Sequence, residues 1–207
     1  IGSINYINKK FNYLKKNTLA GYVLSCLGHG KKINVITKYD HYFSFKIVKR
    51  LFEKAKYSFQ IKKWKERGSD ERQFSSPNVN LPFTLVTKDK FMEYKNYHTW
   101  LDNLDYIKNN DLIHSFNFFK KLILFIEKQE IFISKFKCEP FLSKYNLYSK
   151  ISSSYSKNLN QENFINIIDY CDGYNTLEEI SVNLNINKNK LNILVKELVK
   201  KKIIKKI

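Results

Sequence analysis

Arginine is almost missing from this chain. Of 37 basic residues only Arg50, Arg67 and Arg72 are not lysine, and the 19 acidic residues leave a formal charge of +18. A field of that size draws nucleic acid, anionic lipid or acidic substrates. Two sources fit it. Lysine, asparagine and isoleucine all have AT-rich codons, so genome composition is one; a polyanion-binding surface is the other. Cysteine is scarce too. Cys26, Cys138 and Cys171 are odd in number, widely spaced and without a C-x-x-C. That excludes a disulfide framework and a zinc ribbon and points to free thiols in a reducing, cytoplasmic setting. No apolar run is long enough to span a membrane; the most apolar segment, "LIHSFNFFKKLILFIEKQEIF", is broken by Lys120 and Lys121. No secretory pattern is visible, and the chain opens on Ile1 in place of Met, which reads as a fragment or a trimmed product. Internal repeats are absent.

What remains is enough apolar and aromatic material for a real core, at 43% and 15% of residues. "GYVLSCL" (Gly21–Leu27) and "INVIT" (Ile33–Thr37) read as buried strands. Phe43, Ile47, Val48, Leu51 and Phe52 follow at helical spacing. "YSFQIKKW" alternates like a strand, and "LPFTLV" (Leu81–Val86) is another, opened by a turn at Ser76-Pro77-Asn78. This order predicts a layered α/β domain with a partly parallel sheet over residues 1–144. A long helix is expected from about Asp111 to Phe132. The Ser/Asn-rich residues 145–160 read as a linker. Residues 161–207 then give three short helices. Thr176 and Glu179 form a capping box, and Asn187 caps a third helix with Leu191, Leu194, Val195, Leu198 and Val199 on one stripe. "KKIIKKI" alternates like a strand. The outline is a winged helix-turn-helix.

Two stretches hold candidate chemistry. "ERGSDERQF" (Glu66–Phe74) spends two of the three arginines around Gly68-Ser69. Lysine suits a merely solvated loop; a guanidinium fork grips a carboxylate bidentately, so arginine beside Asp70 and Glu71 suggests fixed geometry. "YKNYHTWLDNLD" (Tyr94–Asp105) places His98 one helical turn before Asp102. A neutral imidazole is a common zinc ligand, and its second nitrogen takes a carboxylate partner, which Asp102 would supply.

Together, "RGSDERQFSSPNVNLP" and "YKNYHTWLDNLD" resemble the aminopeptidase-like group of zinc metallohydrolases, a branch of unknown function related to leucyl aminopeptidases and glutaminyl cyclases. "IGSINYI" resembles the segment that follows this group's catalytic glutamate. The resemblance implies part of a three-layer mixed sheet of the zinc aminopeptidase/carboxypeptidase type, followed by a small winged helix. It implies one or two zinc ions and hydrolysis of a small, peptide-like amide substrate. His98 becomes a zinc ligand, with His29 a second candidate where the group carries an acidic ligand. Asp70 and Glu71 take catalytic positions in the pocket. Arg67, Arg72 and Tyr97 bind substrate or orient those carboxylates. The group's "H-P-x-x-x-N-D-N" motif and its glutamate are not in these 207 residues, so the activity implied belongs to a longer polypeptide and not to this fragment.

The C-terminal segment supports another reading. Lys188, Asn189, Lys190 and Asn192 lie at the start and on the polar face of the third helix, where they would contact phosphates and base edges. The chain would then be a nucleic-acid-binding or regulatory protein on a non-catalytic hydrolase scaffold. Many winged helices bind only protein, so a protein partner is the variant of that reading.

Overall fold

Gly2–Asn17, a Lys- and Asn-rich stretch with no assignment from sequence, forms the first helix, α1. The computed structural model describes residues 1–30, 32–147 and 159–207. Two units emerge, Ile1–Glu127 and Lys128–Ile207. In the first, α1 is followed by β1 (Gly21–Ser25), β2 (Ile33–Thr37), α2 (Phe43–Ala55), β3 (Phe59–Lys62), a one-turn α3 (Glu71–Phe74), β4 (Phe83–Thr87) and α4 (Asn109–Glu127).

The sheet runs β1-β4-β2-β3. β4 lies parallel to β1, from Gly21 opposite Phe83 to Ser25 opposite Thr87. β2 is antiparallel to β4 and parallel to β3. Every residue of β2 is buried, which its β-branched, apolar "INVIT" favours. Its polar members are satisfied: the Asn34 amide donates to the Lys88 carbonyl at 2.7 Å and the Thr37 hydroxyl to the Tyr39 carbonyl at 3.3 Å. Neighbours on a strand point to opposite faces. Thr84 meets Ser44 of α2, hydroxyl to hydroxyl at 2.8 Å, while the Phe83 ring stacks on Phe74 of α3 at 4.0 Å. Helices therefore cover both faces. α4 packs beside α2, with Phe52 stacked between Phe59 and Phe118. On the α1 side, Ile7 and Leu14 close over Leu81.

The second unit contains β5 (Ile131–Ser134), α5 (Leu159–Tyr170), β6 (Asp172–Thr176), α6 (Leu177–Asn183), α7 (Lys188–Lys200) and β7 (Ile204–Lys206). The long helix expected to reach Phe132 stops at Glu127, and Ile131–Ser134 pair instead as the central strand of β6-β5-β7. The second unit thus begins before the expected linker, and most of that linker lies outside the described residues. The capping box forms: Glu179 N–H donates to the Thr176 hydroxyl at 3.2 Å, and Thr176 N–H to the Glu179 carboxylate at 2.8 Å. Asn187 caps α7 by accepting from Asn189 N–H. Leu191, Leu194, Val195 and Leu198 are buried as expected, but Val199 stays partly exposed. Among the described residues, no helix is long and apolar enough to cross a membrane.

Candidate functional site

The parallel strands β1 and β4 end side by side, and their carboxyl ends open on a cleft of about 260 Å3. Open α/β sheets bind ligands at such ends. The chain leaves β1 through Cys26, in the left-handed region at φ 49°, and continues through Gly28-His29-Gly30. It leaves β4 through Lys88 and Asp89. His29 Nδ1 lies 2.7 Å from Asp89 Oδ2. With the carboxylate as acceptor, Nδ1 is the donor, and in the neutral ring Nε2 is then the acceptor. Gly30 makes the contact possible. It sits at φ 98°, and a Cβ there would fall 2.3 Å from Asp89 Oδ1.

Tyr106 stacks on the His29 ring at 4.2 Å and donates its hydroxyl to the same Asp89 oxygen at 3.3 Å. Tyr94 stacks on Tyr106 and donates to Asp102 Oδ2 at 3.0 Å; its hydroxyl also lies 3.8 Å from the Cys26 sulfur. Burial, then the Cys26 thiol and the Asp102 carboxylate, push the Tyr94 hydroxyl far above its ordinary value. Burial and then Asp89 raise Tyr106. Both phenols therefore stay protonated and act as donors. The cleft thus holds an oriented imidazole, two carboxylates and two hydroxyl donors.

Of the expected site residues His29 lines this cleft, and the others take other places. His98 is exposed at φ 57°, its ring on Tyr97 at 4.1 Å. Asp102, expected to orient it, instead takes the Tyr94 hydroxyl. Tyr97 packs edge-on to Tyr94, so His29 and His98 stand at the two ends of a ladder whose rungs are Tyr106, Tyr94 and Tyr97. The acidic loop adjoins this ladder through Phe91, whose ring fills the space a Cβ on Gly68 would need and lies 6.3 Å from Tyr97.

Within that loop no guanidinium grips Asp70 or Glu71 among the described residues. Asp70 accepts from Ser3 Oγ at 2.9 Å, tying the loop to α1. Glu71 is fully buried, and its Oε1 accepts from the Gly68 and Ser69 amides at 2.9 and 3.0 Å. Arg67 lies over the Trp64 ring and donates to the Trp64 carbonyl. Arg72 is exposed. Asp89, Tyr94, Tyr106 and Cys26 were not singled out as site residues from sequence; for Cys26 and Asp89 the signal available was their position just beyond the ends of β1 and β4. Among the described residues, no three His, Cys, Asp or Glu side chains gather closely enough to hold a metal ion.

The fold and cleft define a class: a mixed α/β domain followed by a winged helix-turn-helix. The chain belongs to the family described as a domain of unknown function (DUF4910), which matches residues 1–129. A winged helix-turn-helix family matches residues 131–206. The chain is 31% identical over 183 residues to a Clostridium acetobutylicum protein described as a polysaccharide biosynthesis protein with an aminopeptidase-like domain, covering 87% of this chain and 42% of that one. It also resembles the crystal structure of a protein from the same organism described as a peptidase. There the TM-score is 0.61 at 25% identity, over 99% of this chain and 46% of the other. The chain thus spans less than half the length of the relatives it matches.

Proposed function

We propose that the first unit is the peptidase-like part of a hydrolase acting on a peptide-like amide, with its reactive cleft at the ends of β1 and β4. The observation that carries this is the His29–Asp89 pair at 2.7 Å beside two phenols held protonated. Asp89 fixes the tautomer and orientation of His29. Nε2 then takes the proton of an attacking water, and a Tyr94 or Tyr106 hydroxyl, turned from its carboxylate, donates to the oxygen on which charge develops. A catalytic zinc site needs about three protein ligands. The described residues do not assemble them, so a zinc ion would draw its other ligands from beyond this chain; His98, at the far end of the ring ladder, is the nitrogen this chain would bring, and His29 Nε2 stays the base. In that complete site Tyr97, packed on Tyr94, is the substrate-binding residue next to the cleft, and Glu71 holds the loop in shape.

The test is hydrolysis of a panel of aminoacyl anilides by the whole gene product. His29→Gln and Asp89→Asn are each expected to lower kcat/KM by roughly a hundredfold or more, the weight of a positioned base, with thermal stability little changed. Turnover at the wild-type rate in both variants would refute the assignment. Elemental analysis of the His98→Ala variant reads the metal separately: loss of bound zinc is expected.

One observation favours a second activity in the other unit. From Lys188 to Lys206 there are eight lysines and one acidic residue, Glu197. Lys188, Asn189 and Lys190 are exposed at the start of α7, with Asn192 half-exposed on the next turn. On this reading α7 binds nucleic acid, its lysines on phosphates and its asparagines toward base edges.

A further inference from the structure

A second cavity adjoins the cleft. It measures about 420 Å3, and Asp89 and Tyr94 line both. The topology builds it. β2 runs antiparallel to β4, so the start of β2 lies beside the end of β4, with Asn34 opposite Thr87. β3 runs parallel to β2 and sets Gln60 opposite Asn34. Lys32 stands one residue before β2. Polar side chains from the starts of two strands and the end of a third are thereby gathered next to the His29–Asp89 pair.

The pairing of these side chains fixes the sign of what the cavity can take. Both of its carboxylates are occupied. Asp89 holds the His29 ring and the Tyr106 hydroxyl. Glu93 accepts from Lys62 at 3.2 Å and from Lys90 at 3.1 Å. Two of its ammonium groups are occupied as well, Lys88 on Asp111 and Lys90 on Glu93 and Glu66. Asn34 gives its amide to the Lys88 carbonyl. Lys32 and Gln60 remain. Both are exposed, and neither has a side-chain partner among the described residues. A free ammonium beside a free carboxamide offers N–H donors. The ligand group that accepts from both and matches the charge is an anion.

We infer, on the hydrolase reading of the His29–Asp89 pair, that this cavity is a carboxylate subsite: the substrate is an acidic peptide-like amide whose carboxylate Lys32 and Gln60 hold. In a short peptide a carboxylate has two sources, the chain end and an aspartate or glutamate side chain, and the chemistry recognised is the same. Aminoacyl anilides carry neither and fill only the cleft. Lys32 and Gln60 are exposed, so water and salt screen the contact. Its effect on affinity is about fivefold, the upper end for an exposed ion pair, and shrinks as salt is raised.

The whole gene product is assayed with Ala-Ala, Ala-Ala amide and Ala-Asp amide. One of the two carboxylates is expected to lower KM about fivefold against Ala-Ala amide, with kcat little changed, as for a contact made equally in ground and transition states. Ala-Ala gains if the chain end is held, Ala-Asp amide if the side chain is. Lys32→Ala and Gln60→Ala should each reduce that preference, and Lys32→Arg should keep it. Lys9→Ala, which removes the same charge from α1, should keep it in full. Calorimetry on the His29→Gln whole gene product reads the same preference as affinity, without turnover. Equal KM values for all three peptides while hydrolysis proceeds overturn the subsite and leave the hydrolase reading in place. Absence of hydrolysis, with tighter binding of a carboxylate peptide that Lys32→Ala abolishes, does the reverse. A preference that survives Lys32→Ala, or that falls equally in Lys9→Ala, overturns the subsite and hands the effect to the overall charge.

Discussion

Lys88 is the most deeply buried cation described, its side chain only 2% exposed, and Asp111 meets it at 2.8 Å. Lys88 also donates to the Asp111 carbonyl, so the start of α4 is pinned to the end of β4, beside the cleft. That hydrogen bond from Lys88 outweighs the cost of burial and holds the Asp111 carboxyl below its ordinary value. A carboxyl depressed in the folded state adds stability that is full above its unfolded pKa, near 4, and is lost as pH falls through the lower folded value. Asp111→Asn leaves a buried ammonium without its countercharge, an expected cost of about 3 kcal/mol at neutral pH. Urea unfolding at stepped pH checks both points. The gap between parent and variant should be widest near pH 7 and should narrow below pH ~4; a gap that stays constant into acid would show that the ion pair does not set it.

At the same scale, "Gly-His-Gly" and the charged loop were visible in the sequence, but their partners were not. Asp89 lies sixty positions from His29, and only the parallel pairing of β1 with β4 brings them together. The arginines misled for a related reason. The sequence offered guanidinium forks for Asp70 and Glu71, whereas Glu71 is served by two backbone amides and Arg67 by an indole ring. Backbone donors leave no mark in a residue pattern.

Elements were more legible where their signals are local. The Thr176–Glu179 box is complete within four residues, and it forms as read. Thr176 is buried, and its hydroxyl accepts from the Glu179 amide in the first turn of α6. Thr176→Ala should cost about 1 kcal/mol, read as a lower melting temperature; Thr176→Ser, which keeps the acceptor, should recover most of it. Equal losses in both variants would assign the effect to packing of the methyl group. The end of α4 shows the opposite case. "LILFIEKQEIF" is apolar throughout, and helix and buried strand look alike in so short a run. The choice is made from outside, because Ile131–Ser134 pair with β6 and β7, strands roughly forty and seventy positions later. α1 was missed because its stripe is thin: Ile7, Phe11 and Leu14 are spaced by four and three among lysines and asparagines.

For the whole molecule, the question is whether the charge of +18 is organised for binding. Any polycation binds duplex DNA at low salt, with log K falling by about 0.9 per log unit of salt for each phosphate neutralised. Binding alone therefore decides nothing, but the slope and its residue dependence do. If α7 enters a groove, Lys188→Ala and Lys190→Ala should each reduce the slope by about 1. Asn189→Ala and Asn192→Ala should leave the slope unchanged while flattening any preference among sequences. Lys9→Ala and Lys10→Ala, on the exposed side of α1, supply the comparison, because they remove the same charge from the other unit. Fluorescence titrations over a salt series measure all six variants. Equal losses from the α1 and α7 lysines, with no change of preference in the asparagine variants, would make the attraction diffuse and leave the winged helix without a nucleic-acid role. Losses confined to α7 would mean that the lysine-rich composition has been organised into a binding surface there, whatever first enriched it in the chain.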